Sequence, residues 1–187
     1  MLKIGIIIGS TRPGRSGETV ARWVYDNATN RNDALYEIVD LNDYNLPIFD
    51  EPNFPSAQKY TKEHTKKWSE KINSFDGFIF VTPEYNHSLP ASLKNAIDYL
   101  NVEWNNKAAA IVSYGAWGGV RAVEQLRIVL GALGVADVST NLALSIFTDF
   151  ENMTIKSSNN QLNNFNKMLN QLIEWSEAMY SIRHKEK

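Results

Sequence analysis

Short apolar runs rich in β-branched residues alternate along this chain with stretches of helical periodicity, and that alternation most restricts its fold. Ile4 to Ile8 is the first such run. It is short and lacks polar alternation, as a strand buried on both faces requires. Phe78 to Val81 and Ala108 to Val112 repeat the pattern, Leu35 to Leu41 predicts a further strand, and a fifth is expected within Ala136 to Leu144. Between them the spacing predicts a helix over Glu18 to Asn27, with Val20, Ala21, Val24 and Ala28 as its inner stripe. Further helices are predicted over Gln58 to Phe75, Leu89 to Leu100 and Val120 to Leu133. Leu162, Phe165, Met168, Leu169, Leu172, Trp175 and Met179 then fall on one side of a long C-terminal helix. Strand and helix in this order predict an α/β fold, a doubly wound five-stranded parallel sheet with helices on both faces. With 187 residues and no linker, repeat or low-complexity tract, one domain over 1–187 is expected.

Composition removes several classes of function. A formal charge of -2 leaves no net positive field for nucleic acid or an anionic membrane, so neither is expected as a partner. The chain has no cysteine, which excludes disulfides, thiol redox chemistry and cysteine-based metal sites. Its three histidines are too scattered to suggest a metal centre. Any redox work must therefore use a bound cofactor. The apolar run after Met1-Leu2-Lys3 is too brief for a signal peptide or a membrane span, and a cytoplasmic protein is expected.

In parallel sheets ligands sit at the carboxyl ends of the strands, near the point where strand order reverses. Three loops after apolar strands carry unusual residues here. The first is Gly9-Ser10-Thr11-Arg12-Pro13-Gly14-Arg15-Ser16-Gly17, leading into a helix. Its glycines permit a tight turn, and the helix start offers unpaired N–H groups and a positive dipole end. Ser10, Thr11 and Ser16 add hydroxyl donors, and Arg12 and Arg15 add charge, a combination suited to a phosphate. A capped helix behind a flexible turn needs neither arginine. The loop also nearly matches the pattern G-x-x-x-x-G-K-[ST], with Arg15 at the lysine position. A nucleotide hydrolase of that kind also needs an acidic residue ending a neighbouring strand, and Val81-Thr82-Pro83 and Val112-Ser113-Tyr114 end otherwise.

The second loop is Thr82-Pro83-Glu84-Tyr85-Asn86-His87-Ser88, followed by Leu89-Pro90-Ala91-Ser92-Leu93-Lys94-Asn95-Ala96-Ile97-Asp98. Pro83, Tyr85 and the amides of Glu84 to Asn86 suit a planar ring, supplying an apolar wall, an aromatic neighbour and backbone donors. The third is Ser113-Tyr114-Gly115-Ala116-Trp117-Gly118-Gly119, whose glycines allow close backbone approach.

Gly-Ser-Thr-Arg-x-x-Arg-Ser after the first strand, and Thr-Pro-Glu-Tyr-Asn running into Pro-Ala-Ser-Leu-Lys-Asn-Ala-Ile-Asp, closely resemble the NADPH-dependent FMN reductase family. That family includes NAD(P)H:quinone, azo and chromate reductases. The resemblance covers Ile4 to roughly Leu133 and implies a flavodoxin-like fold. By that resemblance Ser10, Thr11, Arg12 and Ser16 hold the FMN phosphate, Pro83, Glu84, Tyr85 and Asn86 line the isoalloxazine, and Ser113, Tyr114 and Gly115 close its other side. It implies NADPH or NADH as the donor, and quinones, azo compounds or free flavin as acceptors. It further implies ping-pong hydride transfer through flavin N5, with no catalytic side chain because the flavin is the reactive group. Members are usually homodimers or homotetramers, and Leu89, Leu93, Ile97 and Leu100 could form an interface or pack inward on the sheet. A non-enzymatic FMN-binding electron carrier or redox sensor is the alternative on the same fold, although a carrier of this type is usually more acidic.

Other residues are expected to be structural. His64, Lys66 and Lys67 suit an exposed helix face, Glu103 and Trp104 suit packing or pairing, and His87 suits a solvated loop. Trp117 stands where a smaller residue is expected, either capping the ligand or lying on the surface. Asp43 to Pro55 predicts a long irregular loop of the length that often carries function.

Overall fold

The structure, a computed structural model, describes residues 1–185. Six strands form the main sheet: β1 (Lys3–Ile8), β2 (Leu35–Asp40), β3 (Gly77–Pro83), β4 (Ala108–Gly115), β5 (Ala136–Asp137) and β6 (Leu142–Ser145). They run in the order β2-β1-β3-β4, all parallel, with β5 and β6 both on the outer edge of β4. The helices are α1 (Gly17–Thr29), α2 (Glu63–Asn73), α3 (Ala91–Asp98), α4 (Val120–Ala132) and α5 (Asn159–Arg183). A small antiparallel hairpin, β7 (Phe150–Glu151) and β8 (Thr154–Ile155), packs by α1.

Alternation along each buried strand feeds two core layers. Ile4, Ile6, Ile8, Ile79 and Val81 face α1 and α5, meeting Val20, Val24, Phe165, Met168 and Leu172. Ile7, Phe78 and Phe80 face the other way, against Trp68, Ile72, Leu93, Ile97, Trp104 and Leu126 of the α2–α4 side. Each such side chain contributes on the order of 1.5–3 kcal/mol of burial free energy. Leu93, Ile97 and Leu100 are therefore core residues, which leaves their alternative role as an interface face unfilled.

The expected fifth strand exists in two pieces. Ser139 and Thr140 break it because their backbone groups bond elsewhere: Arg127 donates to the carbonyls of Val138 and Ser139, and Gln171 accepts from the Thr140 N–H. On α5, Trp175 lies on the outer face, and only Phe165, Met168, Leu169 and Leu172 of the predicted stripe are buried. The helix expected over Leu89 to Leu100 is confined to α3, with Pro90 as its N-cap.

The helix expected from Gln58 begins only at Glu63. Gln58 takes a left-handed φ of 50°, and the buried carboxylate of Glu51 captures the next backbone donors. It accepts from the Thr61 N–H at 2.9 Å, the Lys62 N–H at 2.9 Å and the Thr61 hydroxyl at 2.9 Å. The neighbouring Glu103 accepts from the Tyr60 hydroxyl at 2.9 Å and the Ser69 hydroxyl at 2.6 Å. Asp50 accepts from Tyr99 at 2.9 Å and pairs with His64 at 3.0 Å. Three carboxylates thus pin the loop expected over Asp43 to Pro55, and the residues up to Lys62 expected to be helical, against α2 and the end of α3.

Burial pushes the Glu51 carboxyl up, but its backbone donors from Thr61 and Lys62 outweigh burial and hold it at about 2. A depressed folded value stabilises the protein above the unfolded carboxyl range, and that stabilisation is lost as pH falls through about 2. Glu51→Gln should lower unfolding free energy at neutral pH by on the order of 1–3 kcal/mol in urea denaturation. The gap to wild type should close between the ordinary value of 4.5 and about 2. A gap of constant size across that range would show that the charge is not what holds the loop.

Candidate functional site

The site is built by register. Ile8 of β1 lies beside Val81 of β3, and Val81 beside Val112 of β4, after which β3 runs on two residues to Pro83 and β4 three to Gly115. The Gly9 N–H donates to the Val81 carbonyl at 2.9 Å, and the Glu84 N–H to the Tyr114 carbonyl at 3.2 Å. The loops after β1, β3 and β4 consequently meet at one edge of the sheet.

In the first loop Ser10 is fully buried, and its Oγ lies 2.7 Å from the Tyr85 Oη of the second loop. The Arg12 Nε donates to the same Tyr85 oxygen at 3.3 Å, and the Arg12 N–H to the Ser10 Oγ at 3.3 Å. Thr11 and Arg12 are exposed, and among the described residues Arg12 has no carboxylate partner. Gly14 turns the chain with a φ of 68°. Ser16 stands at the N-cap of α1, yet its hydroxyl makes no capping bond, so the first-turn N–H groups stay open to an incoming anion.

Arg15 departs from expectation. Its Nη2 lies 2.5 Å from Asp40 and 2.7 Å from Glu18, so its charge is spent on the β2 side of the loop. The residue at the lysine position of the hydrolase pattern thus faces carboxylates. One free guanidinium, that of Arg12, serves the loop.

The second loop starts from Pro83, which is buried at the end of β3. Tyr85 and Ser88 exchange N–H···O bonds of 2.9 and 3.1 Å, with Asn86 at φ 47° and His87 at φ 73° between them. Positive φ at both central positions is the type I′ hairpin turn, which asparagine tolerates better than most residues. The Glu84 and Tyr85 amides are used by Tyr114 and Ser88, whereas those of Asn86 and His87 meet no acceptor among the described residues. The Glu84 carboxylate faces α4, accepting from the Arg121 N–H at 3.1 Å and its guanidinium at 2.8 Å. The Ser92 hydroxyl of α3 donates to the Gly9 carbonyl at 2.8 Å, tying the first loop to that helix.

Ser113, Tyr114 and Gly115 belong to β4 itself, and the third loop begins only at Ala116. Ser113 donates to the Gly118 carbonyl at 2.6 Å and so shapes the loop from within. Gly119 has a φ of 71°, and a Cβ there would lie 2.9 Å from the Tyr114 N and O, so only glycine fits. Tyr114 points toward α1, not across the loop. Trp117 is 73% exposed on the rim, beside Gly115, whose carbonyl accepts from the Ile146 N–H at 3.0 Å.

The tyrosine link between the first two loops and the Glu84–Arg121 pair leave no trace in spacing. Tyr114's direction was accessible: it follows Ala108, Ala110 and Val112 in period two once the strand is extended. The edge can hold an anion at the α1 end and a flat group between the second and third loops. Among the described residues no cluster of histidine, aspartate and glutamate could hold a metal ion, and no helix is long and apolar enough to cross a membrane.

The comparisons with known proteins agree with this geometry. The profile of the NADPH-dependent FMN reductase family matches residues 2–149. A Schizosaccharomyces pombe protein named NAD(P)H-dependent FMN reductase is 46% identical over 149 residues, 79% of this chain and 74% of its own length. A quinone reductase of Escherichia coli K12 is 33% identical over 137 residues, 69% of each chain. Among solved structures, the flavoenzyme NAD(P)H:(acceptor) oxidoreductase of Paracoccus denitrificans superposes with a TM-score of 0.74 over 96% of this chain and 99% of its own, at 20% identity. That likeness establishes the shared flavodoxin-like fold. By profile, by relatives and by architecture, the chain belongs to the NADPH-dependent FMN reductase family.

Proposed function

We propose that this chain is an NAD(P)H-dependent oxidoreductase that holds FMN along the three-loop edge and reduces quinones, azo compounds, free flavin or similar small acceptors. The observation that carries the reading is the pairing of an uncapped α1 N-terminus with the one free guanidinium of that loop, Arg12, where the first loop meets Tyr85 of the second. The residues fit the group. Ser10, Thr11, Arg12, Ser16 and the first-turn N–H groups hold the phosphate. The turn Tyr85–Ser88 leaves its Asn86 and His87 amides for the polar edge of the ring, while Pro83, Glu84 and Tyr85 form one wall and Gly115 the other. Ser113 shapes that second wall indirectly, through Gly118.

When bound, FMN supplies the two-electron chemistry, accepting hydride from NADPH or NADH and returning electrons to the acceptor. The chain's part is to fix the phosphate, orient the ring and leave one face open. Nicotinamide and acceptor would use the same opening in turn, which predicts ping-pong kinetics. Loops fixed by strand ends would suit the roughly 3–3.5 Å positioning that hydride transfer needs.

A homodimer is the assembly we favour. Phe54, 84% exposed, and Ile128, 69% exposed, flank a groove of about 510 Å³ beside α3 and α4, whose inner faces are already used. Ile128→Asp should convert a dimer to a monomer in sedimentation, and a wild type that sediments as a monomer would overturn this assembly.

The deciding measurement is the visible spectrum of protein reconstituted with FMN, before and after anaerobic NADPH. A flavin spectrum that bleaches supports the reductase; a bound flavin indifferent to NADPH and NADH would make the chain a carrier or sensor. Arg12→Ala should weaken FMN binding roughly 10- to 100-fold while leaving the apoprotein's melting unchanged, as loss of a charge-assisted bond predicts. Unaltered affinity would remove Arg12 from the phosphate site.

A further inference from the structure

Tyr114 carries a hydroxyl with no visible use. The side chain is 5% exposed, and its Oη is fully enclosed and bonds to no protein group. It abuts the first residue of α1: a Cβ on Gly17 would lie 2.9 Å from that oxygen. Packing alone does not call for it, since phenylalanine fills the same ring-shaped space without burying an unpaired polar atom.

Three further observations point the hydroxyl at an anion. Gly17 opens a helix whose N-cap serine makes no capping bond, so the oxygen abuts the first residue of an uncapped helix start. Its electrostatic neighbours are Tyr85, Arg12 and Arg15, the first two of which line the first loop's polar cluster. Burial, with Tyr85 beside it, pushes the Tyr114 hydroxyl up against the opposing pull of Arg12 and Arg15, so it stays protonated and can only gain by donating. Arg15 Nε is likewise buried and unpaired in the same region.

We infer that Tyr114 is a phosphate-recognising residue, donating from beneath the first loop to the phosphate-bearing end of FMN and thereby separating FMN from riboflavin. This rests on the FMN reading above and extends it, moving Tyr114 from the ring to the opposite end of the cofactor.

Tyr114→Phe tests it. The variant apoprotein should melt no lower than wild type, because it loses only an unpaired group. In fluorescence titrations its affinity for FMN should fall about tenfold, while riboflavin affinity stays within a factor of two. Equal change for both ligands, or none for either, overturns the inference while leaving wild-type FMN binding, and hence the reductase reading, intact. A wild type that binds no FMN overturns both. Should the variant fail to fold, the wild-type Tyr114 Cζ resonance keeps the question open to measurement. It should shift with inorganic phosphate and with FMN but not with riboflavin, and a resonance indifferent to phosphate and FMN refutes the assignment.

Discussion

Everything in this molecule depends on the pairing of Ile8 with Val81 and of Val81 with Val112. Neighbouring strands lie ~4.8 Å apart, so three adjacent strands in this register, ending within three residues of one another, bring their loops to one edge of the sheet. The register also assigns the faces. A slip of one residue would exchange Ile79 and Val81 with Phe78 and Phe80, sending aromatic rings toward α1 and taking Tyr114 away from Gly17. Burial of alternate residues on both faces resists that slip along the whole of β3. The site's geometry is thus held by apolar packing well away from it, and its polar residues need only decorate an edge that is already fixed.

The polar groups that do carry structure lie on the α2–α4 side. Glu51, Glu103 and Asp50 gather backbone and hydroxyl donors from a segment that would otherwise be loose. Buried Lys107 performs the reverse service, donating to the Ile72 carbonyl at 2.8 Å where α2 ends. Burial, aided by the Arg183 charge, brings that lysine down to about 7 against the opposing pull of Asp76 and Glu103. These contacts stiffen the flank of α3, and Ser92 passes the restraint to Gly9 of the first loop.

The alternation of elements, the parallel sheet and all three strand-end loops were legible in the sequence, because each rests on local periodicity or on glycine. What escaped depends on partners distant along the chain. Ser113-Tyr114-Gly115 looks like turn chemistry, and only pairing with Thr82, Pro83 and β6 makes it strand. Gln58 to Thr61 has helical spacing, but a carboxylate ten residues upstream of Thr61 takes the donors. Arg12 and Arg15 are alike in composition and three positions apart. Their division into one free and one paired guanidinium is set by Asp40, at the end of a neighbouring strand. Spacing cannot reveal such a choice, since it depends on which face of a loop meets which strand.

That division bears on how the site is poised. Among the described residues, four buried side-chain atoms lack a partner, and two of them, Arg15 Nε and Tyr114 Oη, lie under or beside the first loop. The second loop adds two non-glycine residues in left-handed conformation. Features of this kind destabilise the unliganded protein and persist only where the surroundings over-determine them. The surroundings here are β1, β3 and β4, the most deeply buried part of the sheet. Unpaired donors held in place by such a frame cannot relax to satisfy one another. They are most readily satisfied from outside, by a ligand carrying several oxygen acceptors at one end.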